Sequence, residues 1–173
     1  MQKSKQTLNP LPISIPIPTL PLRTRKPKWE KVLPKSYIIA AMEENLTSLK
    51  LKVEIETTDT AETKYVTALL DSSMTGECID RDYARSCWFN LIKLTQPILV
   101  YNVDRSPNEA GSITEVVSLI LHHKKHLEWT TFAVTSLGRQ KMILRHSWLH
   151  KHNPEIDWAM GEVKIVRATG SWT

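Results

Sequence analysis

The stretch Ala68-Leu69-Leu70-Asp71-Ser72-Ser73-Met74-Thr75-Gly76 sets a carboxylate directly behind an apolar run and follows it with small hydroxyl residues. A strand end fixes such an aspartate rigidly, and the next turn can offer backbone N–H groups and hydroxyls to its oxygens. A loop aspartate that merely caps its own turn reads the same way, so this segment alone leaves both readings open. Upstream, Leu49, Leu51, Val53 and Ile55 alternate with Lys50, Lys52, Glu54 and Glu56, the pattern of a strand with one wet face. Thr57–Thr63 turns the chain, and Tyr65–Leu70 is the returning strand that delivers Asp71. Downstream, short strands are expected at Ile98–Val103, Ile113–Leu121, Glu128–Val134, Met142–Leu144 and Val163–Val166. Two helical pieces stand out, one N-capped by Asp80 and running to about Cys87, the other starting near His146 and stopping before Pro154. A further short helix or ordered turn is expected around Tyr37–Glu44. Many short strands with tight turns give an all-β fold, a small barrel or sandwich.

The whole chain has 173 residues, 41% hydrophobic and 24% charged, which fits one ordinary globular domain and excludes a wholly disordered chain. Two cysteines, Cys78 and Cys87, are too few for a disulfide framework and point to a reducing, intracellular and cytoplasmic setting. No apolar run reaches the roughly 18 residues that a membrane span needs, so no membrane partner is expected.

The net charge of +5 is unevenly placed. Residues 1–36 hold eight Lys/Arg against Glu30 alone, a net of +7, and the other 137 residues carry a net of −2. Seven of the ten prolines lie in the same 36 residues, whereas all five glycines lie from Gly76 onward. Residues 1–45 therefore read as a Pro-rich basic arm, largely disordered, with an extended linker over Asn9–Leu22. Lys3 and Lys5 before an apolar segment suggest a secretory leader, but Pro12, Pro16 and Pro18 break any helical core of one. The arm is foremost a solvated tether, and RNA association is its secondary reading. The body, residues 46–170, is the folded domain.

Other constellations are weaker. His122-His123-Lys124-Lys125-His126 is rich in histidine, yet interleaved lysines repel a metal ion and a solvated hairpin tip is expected. His146 and His150 have an i, i+4 spacing, but Ser147 stands where a zinc-site glutamate would be. No metal and no cofactor are expected. The two cysteines read as buried or half-buried free thiols. Glycine loops that cradle phosphates are missing, which argues against a nucleotide enzyme. Six tryptophans (29, 88, 129, 148, 158 and 172) are scattered, and core or hairpin packing is expected for most.

Leu69-Leu70-Asp71-Ser72 resembles the active-site motif of retropepsin-like aspartic proteases. The segments Ala68–Tyr83, Pro97–Glu115, Phe132–Leu137 and Met142–Trp158 are similar to the protease region of gypsy-class LTR retrotransposon Gag-Pol polyproteins. Tyr-Asn-Val-Asp (101–104), Pro-Asn-Glu-Ala-Gly (107–111), Ala-Val-Thr-Ser-Leu-Gly (133–138) and His-Ser-Trp-Leu-His-Lys-His-Asn-Pro-Glu-Ile-Asp-Trp (146–158) carry it. The similarity spans roughly Leu49–Val166.

The resemblance implies a small closed barrel of the retropepsin type, acting as an aspartic endopeptidase on polypeptides. Two aspartates about 3 Å apart cannot both ionise and so share one proton. The charged member activates a water while the neutral one donates to the scissile carbonyl. One aspartate here matches, so the implied site needs a homodimer in which each chain supplies Asp71. Ser72 matches the hydroxyl that bonds across to the partner loop. Val103–Gly111 matches the flap, a hairpin closing over extended peptide, and Ser73, Met74, Val103 and Asp104 fall where substrate would be held. Three positions depart from the pattern. Ser73 replaces a glycine, Met74 replaces a small residue, and Arg145 in Ile143-Leu144-Arg145 replaces a close-packed glycine. A buried Arg145 would need a partner, and Asp71 would be a damaging one; an outward Arg145 would matter less. With those departures the implied alternative is an inactive domain of the same fold, serving as a dimerisation or peptide-binding module.

Overall fold

The structure, a computed structural model, describes residues 26–39, 49–73, 75–109 and 111–166. The alternating stretch forms β2 (Lys50–Thr57), with Leu51, Val53 and Ile55 buried and Lys50 and Lys52 exposed. It pairs antiparallel with β3 (Thr63–Asp71), Val53 opposite Val66, so the hairpin expected from sequence is present. The following elements are β4 (Cys78–Asp80), α1 (Arg81–Ser86), β5 (Ile92–Asn102), β6 (Ile113–His123), β7 (His126–Thr135) and β8 (Met142–Arg145). α2 (His146–His152), β9 (Glu155–Asp157) and β10 (Glu162–Lys164) complete the chain. Asp80 caps α1 through Oδ1, which accepts the Tyr83 N–H at 2.9 Å, and its Oδ2 accepts the Leu137 N–H at 3.0 Å. One carboxylate thus starts a helix and anchors the loop after β7.

With β1 (Ser36–Ile39) at its edge, the large sheet runs β1-β5-β6-β2-β3-β8-β4-β7, and β7 pairs again with β6. That second pairing closes six strands into a barrel and leaves no open edge among them. β5 stands outside the ring, paired with the first half of β6. β9 and β10 form a separate hairpin. The barrel is filled by Leu51, Val53, Ile55, Leu119, Leu121, Phe132, Met142, Leu144 and Trp148. A second cluster, including Val100, Ile113, Ile143 and Cys78, lies under β5.

Several expectations change. Tyr37 does not lie in a helix: β1 (Ser36–Ile39) is a strand, parallel to β5 with Tyr37 opposite Val100. Its sequence, Ser-Tyr-Ile-Ile, is aromatic and β-branched, and pairing along β5 satisfies that preference. The rest of that expected helix, residues 40–44, and the linker Asn9–Leu22 lie outside the described residues. Within the stretch assigned to the arm, a short 3₁₀ turn at Glu30–Val32 also packs, with Glu30 Oε1 accepting from Thr95 N–H (3.2 Å) and Thr95 Oγ1 (2.8 Å). Ordered structure on the barrel therefore begins before residue 46. The hairpin tip is Lys124-Lys125 as expected, but His123 and His126 flanking it are buried rather than solvated. Of the tryptophans, Trp148 is buried whereas Trp29, Trp88, Trp129 and Trp158 are exposed. Trp129 falls on the outer face of β7 and Trp158 in the β9–β10 turn, where the strand period and the turn leave no core to enter. Cys78 is a buried and Cys87 a half-buried free thiol, as expected.

Candidate active site

β3 ends on Asp71, half-buried and register-paired with Arg145 of the parallel strand β8. The turn behind it does what its hydroxyl residues allow: Ser73 donates its N–H (2.9 Å) and its Oγ–H (2.6 Å) to Asp71 Oδ1. Among the described residues Oδ2 accepts no hydrogen bond, so one face of the carboxylate is held and the other is left for a visitor. Ser72 is exposed and its hydroxyl is not engaged within the described chain. Met74 lies outside the described residues. A cavity of about 400 Å³ opens beside Asp71 and Ser72, walled by Leu49, Leu70, Leu149 and Trp158.

Arg145 points inward and is fully buried, yet Asp71 is not its partner. Its Nη1 donates to the Thr75 carbonyl at 3.0 Å, and Cζ sits 6.0 Å over the Tyr37 ring. Among the described residues Nε and Nη2 have no hydrogen-bond partner. The ring supplies a cation–π contact in place of a carboxylate. Burial pushes the Tyr37 phenol above its ordinary range and the Cys78 thiol up to about 12, so neither offers the guanidinium an anion near neutral pH. Gly76 (φ +72°) closes this pocket: a Cβ there would lie 2.4 Å from Tyr37 Cε1, so only glycine fits.

The hairpin Val103–Gly111 is an irregular extension of β5 and β6. Asn102 donates from its backbone N–H to the Ser106 carbonyl, and Asn108 to the Val100 carbonyl. Val103 and Asp104 are exposed at its tip. Asp104 Oδ1 accepts from Ser106 N–H and Oγ–H, and the hydroxyl bond chiefly holds its pKa below the usual carboxylate value. No hydrogen bond joins either residue to the Asp71 turn among the described residues. What lies alongside β5 is β1, whose Ile38 N–H reaches Thr75 Oγ1 at 3.3 Å.

Sequence reasoning missed Glu128. It is 5% exposed, and it accepts from Trp148 Nε1 (2.5 Å), Lys151 Nζ (2.7 Å) and His152 Nε2 (2.9 Å). Burial works against its ionisation, but the His152 and Lys151 hydrogen bonds outweigh that and hold it down at about 2. His126 Nε2, Glu128 and His152 lie within 4.8 Å of one another, a spacing that could embrace a metal ion. The Lys151 ammonium already occupies the carboxylate, so these donors make a charge-balanced structural network locking α2 to β7. The available signal was the i, i+2 placement of His126 and Glu128 on one strand face.

A family model described as the PEG10/RTL1 protease domain matches residues 67–170, more than half of the chain. Among solved structures, the chain is similar to the retroviral protease-like domain of Ddi1 from Leishmania major. That match is 14% identical, covers 67% of this chain and 86% of that one, and has a TM-score of 0.41. It is also similar to EIAV protease complexed with the inhibitor HBY-793, at 14% identity, 68% and 99% coverage and a TM-score of 0.45.

Proposed function

The chain belongs to the PEG10/RTL1 protease domain family, and from that premise we propose that it is a retropepsin-type aspartic endopeptidase acting on polypeptides as a homodimer. The observation that carries this reading is the Asp71 carboxylate, fixed at a strand end through Oδ1 with Oδ2 unengaged among the described residues. Two such groups brought together by a two-fold axis share one proton. The ionised Asp71 takes a proton from water as the hydroxyl adds to the scissile carbonyl carbon, and the protonated Asp71 donates to the carbonyl oxygen. Collapse of the tetrahedral species returns that proton, breaks the C–N bond and delivers a proton to the leaving amine. No covalent enzyme intermediate forms. Ser72 would bond across the axis, and Ser73, Met74, Val103 and Asp104 would line the peptide. The setting is cytoplasmic, and the basic arm would add weak, salt-sensitive RNA association.

A second reading has its own observation. Ser73 Oγ sits 2.6 Å from Asp71 Oδ1, and the residue register-paired with Asp71 on β8 is the buried Arg145. Both depart from the motif, with Asp71 Oδ1 already taken by a neighbouring hydroxyl, which suits an inactive module that dimerises or binds peptide. The test is cleavage of an unstructured polypeptide at mildly acidic pH. Endopeptidase activity predicts fragments from wild type and none from Asp71→Asn. A wild type that is inert yet dimeric by sedimentation supports the second reading.

A further inference from the structure

A peptide held by the flap would pair along the outer edge of β5, between the hairpin and the Asp71 turn. That place is filled by the chain itself. β1 runs parallel to β5, with Ser36, Tyr37, Ile38 and Ile39 opposite Leu99, Val100, Tyr101 and Asn102. On its other side, the Ile38 N–H bonds Thr75 Oγ1, four residues past Asp71. β1 is thus a short extended segment bonded on one side to the flap strand and on the other to the aspartate loop. Both contacts are those that β-strand addition would give a bound peptide.

The side chains repeat the pattern. Tyr37 is 1% exposed and fills a pocket formed by Gly76, Cys78, Val100, Ile143 and Arg145. Gly76 leaves the room for the ring, and Arg145 caps it. Upstream, Glu30 docks on Thr95, which leads the segment along the same strand.

We propose that this slot is a peptide-binding subsite for an extended segment bearing an aromatic phenol. β1 is its tethered occupant, a competitor that must leave before another polypeptide can enter. The inference rests on the flap reading of the proposed function. It also gives Arg145 a role: the cation that replaces the family's glycine caps the ring in the tyrosine pocket. Four paired residues and one ring make a weak strand, but tethering presents it at an effective concentration of about millimolar. A free peptide at micromolar concentration therefore loses to it.

The test uses the full chain with Asp71→Asn, so that binding is read without cutting. The probe is a fluorescent peptide spanning residues 31–40, followed by polarisation. The Asp71→Asn chain is expected not to bind at tens of micromolar. Adding Tyr37→Ala, which empties the pocket, is expected to improve binding by about tenfold or more. A probe with alanine at the Tyr37 position should lose that gain. No gain from Tyr37→Ala in a chain that keeps its circular dichroism overturns the proposal. If that variant does not fold, hydrogen exchange of the Asp71→Asn chain decides. Faster exchange at Tyr37–Ile39 than at β2 and β3 is expected, with further acceleration by millimolar probe carrying tyrosine. Protection equal to the barrel's would make β1 permanent structure and overturn it. A probe that binds Tyr37→Ala while wild type cuts nothing would leave this inference standing and remove the endopeptidase reading.

Discussion

Replacing Glu128 with alanine should cost this barrel more than any surface change, because three donors converge on that carboxylate. Trp148 Nε1 and His152 Nε2 belong to side chains 2% and 1% exposed, and neither can turn to water. Each buried donor left without an acceptor costs about 1–3 kcal/mol. Lys151, with its ammonium in a half-exposed side chain, re-solvates at little cost. Removing one partner from a buried ionic cluster typically costs about 3–5 kcal/mol, so Glu128→Ala is expected to lose about 4 kcal/mol. Against a domain stability of about 5–15 kcal/mol that is a large fraction. At about 2–4 °C per kcal/mol for a chain of this size, Tm should fall by roughly 8–16 °C. Glu128→Gln keeps an acceptor for Trp148 but sets an amide against His152 and Lys151, and should fall between. Urea denaturation at constant m reads the loss directly. A loss under about 1 kcal/mol would refute the view that this network locks α2 to the barrel.

The same residue sets the acid limit. With Glu128 held at about 2 against an ordinary 4.5, its stabilisation is complete above pH 4.5 and is lost as pH falls towards 2; a pH series of melts should show this slope, flattened in Glu128→Gln. His126, lowered by burial despite Glu128, adds a loss as pH drops below its ordinary 6.5, since the unfolded chain then binds the extra proton; His126→Phe should remove that part. Gly76→Ala places a Cβ in the Tyr37 ring at φ +72° and should cost about 1–3 kcal/mol, with part recovered in a Tyr37→Ala background; strict additivity in that double-mutant cycle would mean the two do not touch. Ser73→Gly with Arg145→Gly frees Asp71 Oδ1 of a hydroxyl and removes the buried cation, so cleavage per folded molecule should rise about tenfold; an unchanged rate would place the determinants elsewhere.

Much of the barrel is legible in the sequence because period two is strong where one face is wet. Leu51, Val53 and Ile55 show it, and the Asp80 cap and the pre-Pro154 helix follow from local chemistry. β1 escapes because a strand of four residues between prolines and a charged stretch has no period of its own; its partner, 63 residues further along the chain, makes it a strand. β7 inverts the usual polarity, with Glu128 inside and Trp129 outside, since a buried carboxylate fed by three donors is visible only once α2 is folded against it. Asp71 stands out by its place after an apolar run, whereas the Tyr37 role of Arg145 depends on a strand that local pattern does not reveal.

The most direct test is the dependence of polypeptide cleavage on enzyme concentration, with wild type alone and with wild type diluted into excess Asp71→Asn. A site shared by two copies of Asp71 predicts a rate that climbs with the square of concentration below the dimer dissociation constant and is suppressed by the Asp71→Asn chain. A rate linear in concentration over that range and indifferent to the variant, or cleavage by Asp71→Asn alone, would contradict it.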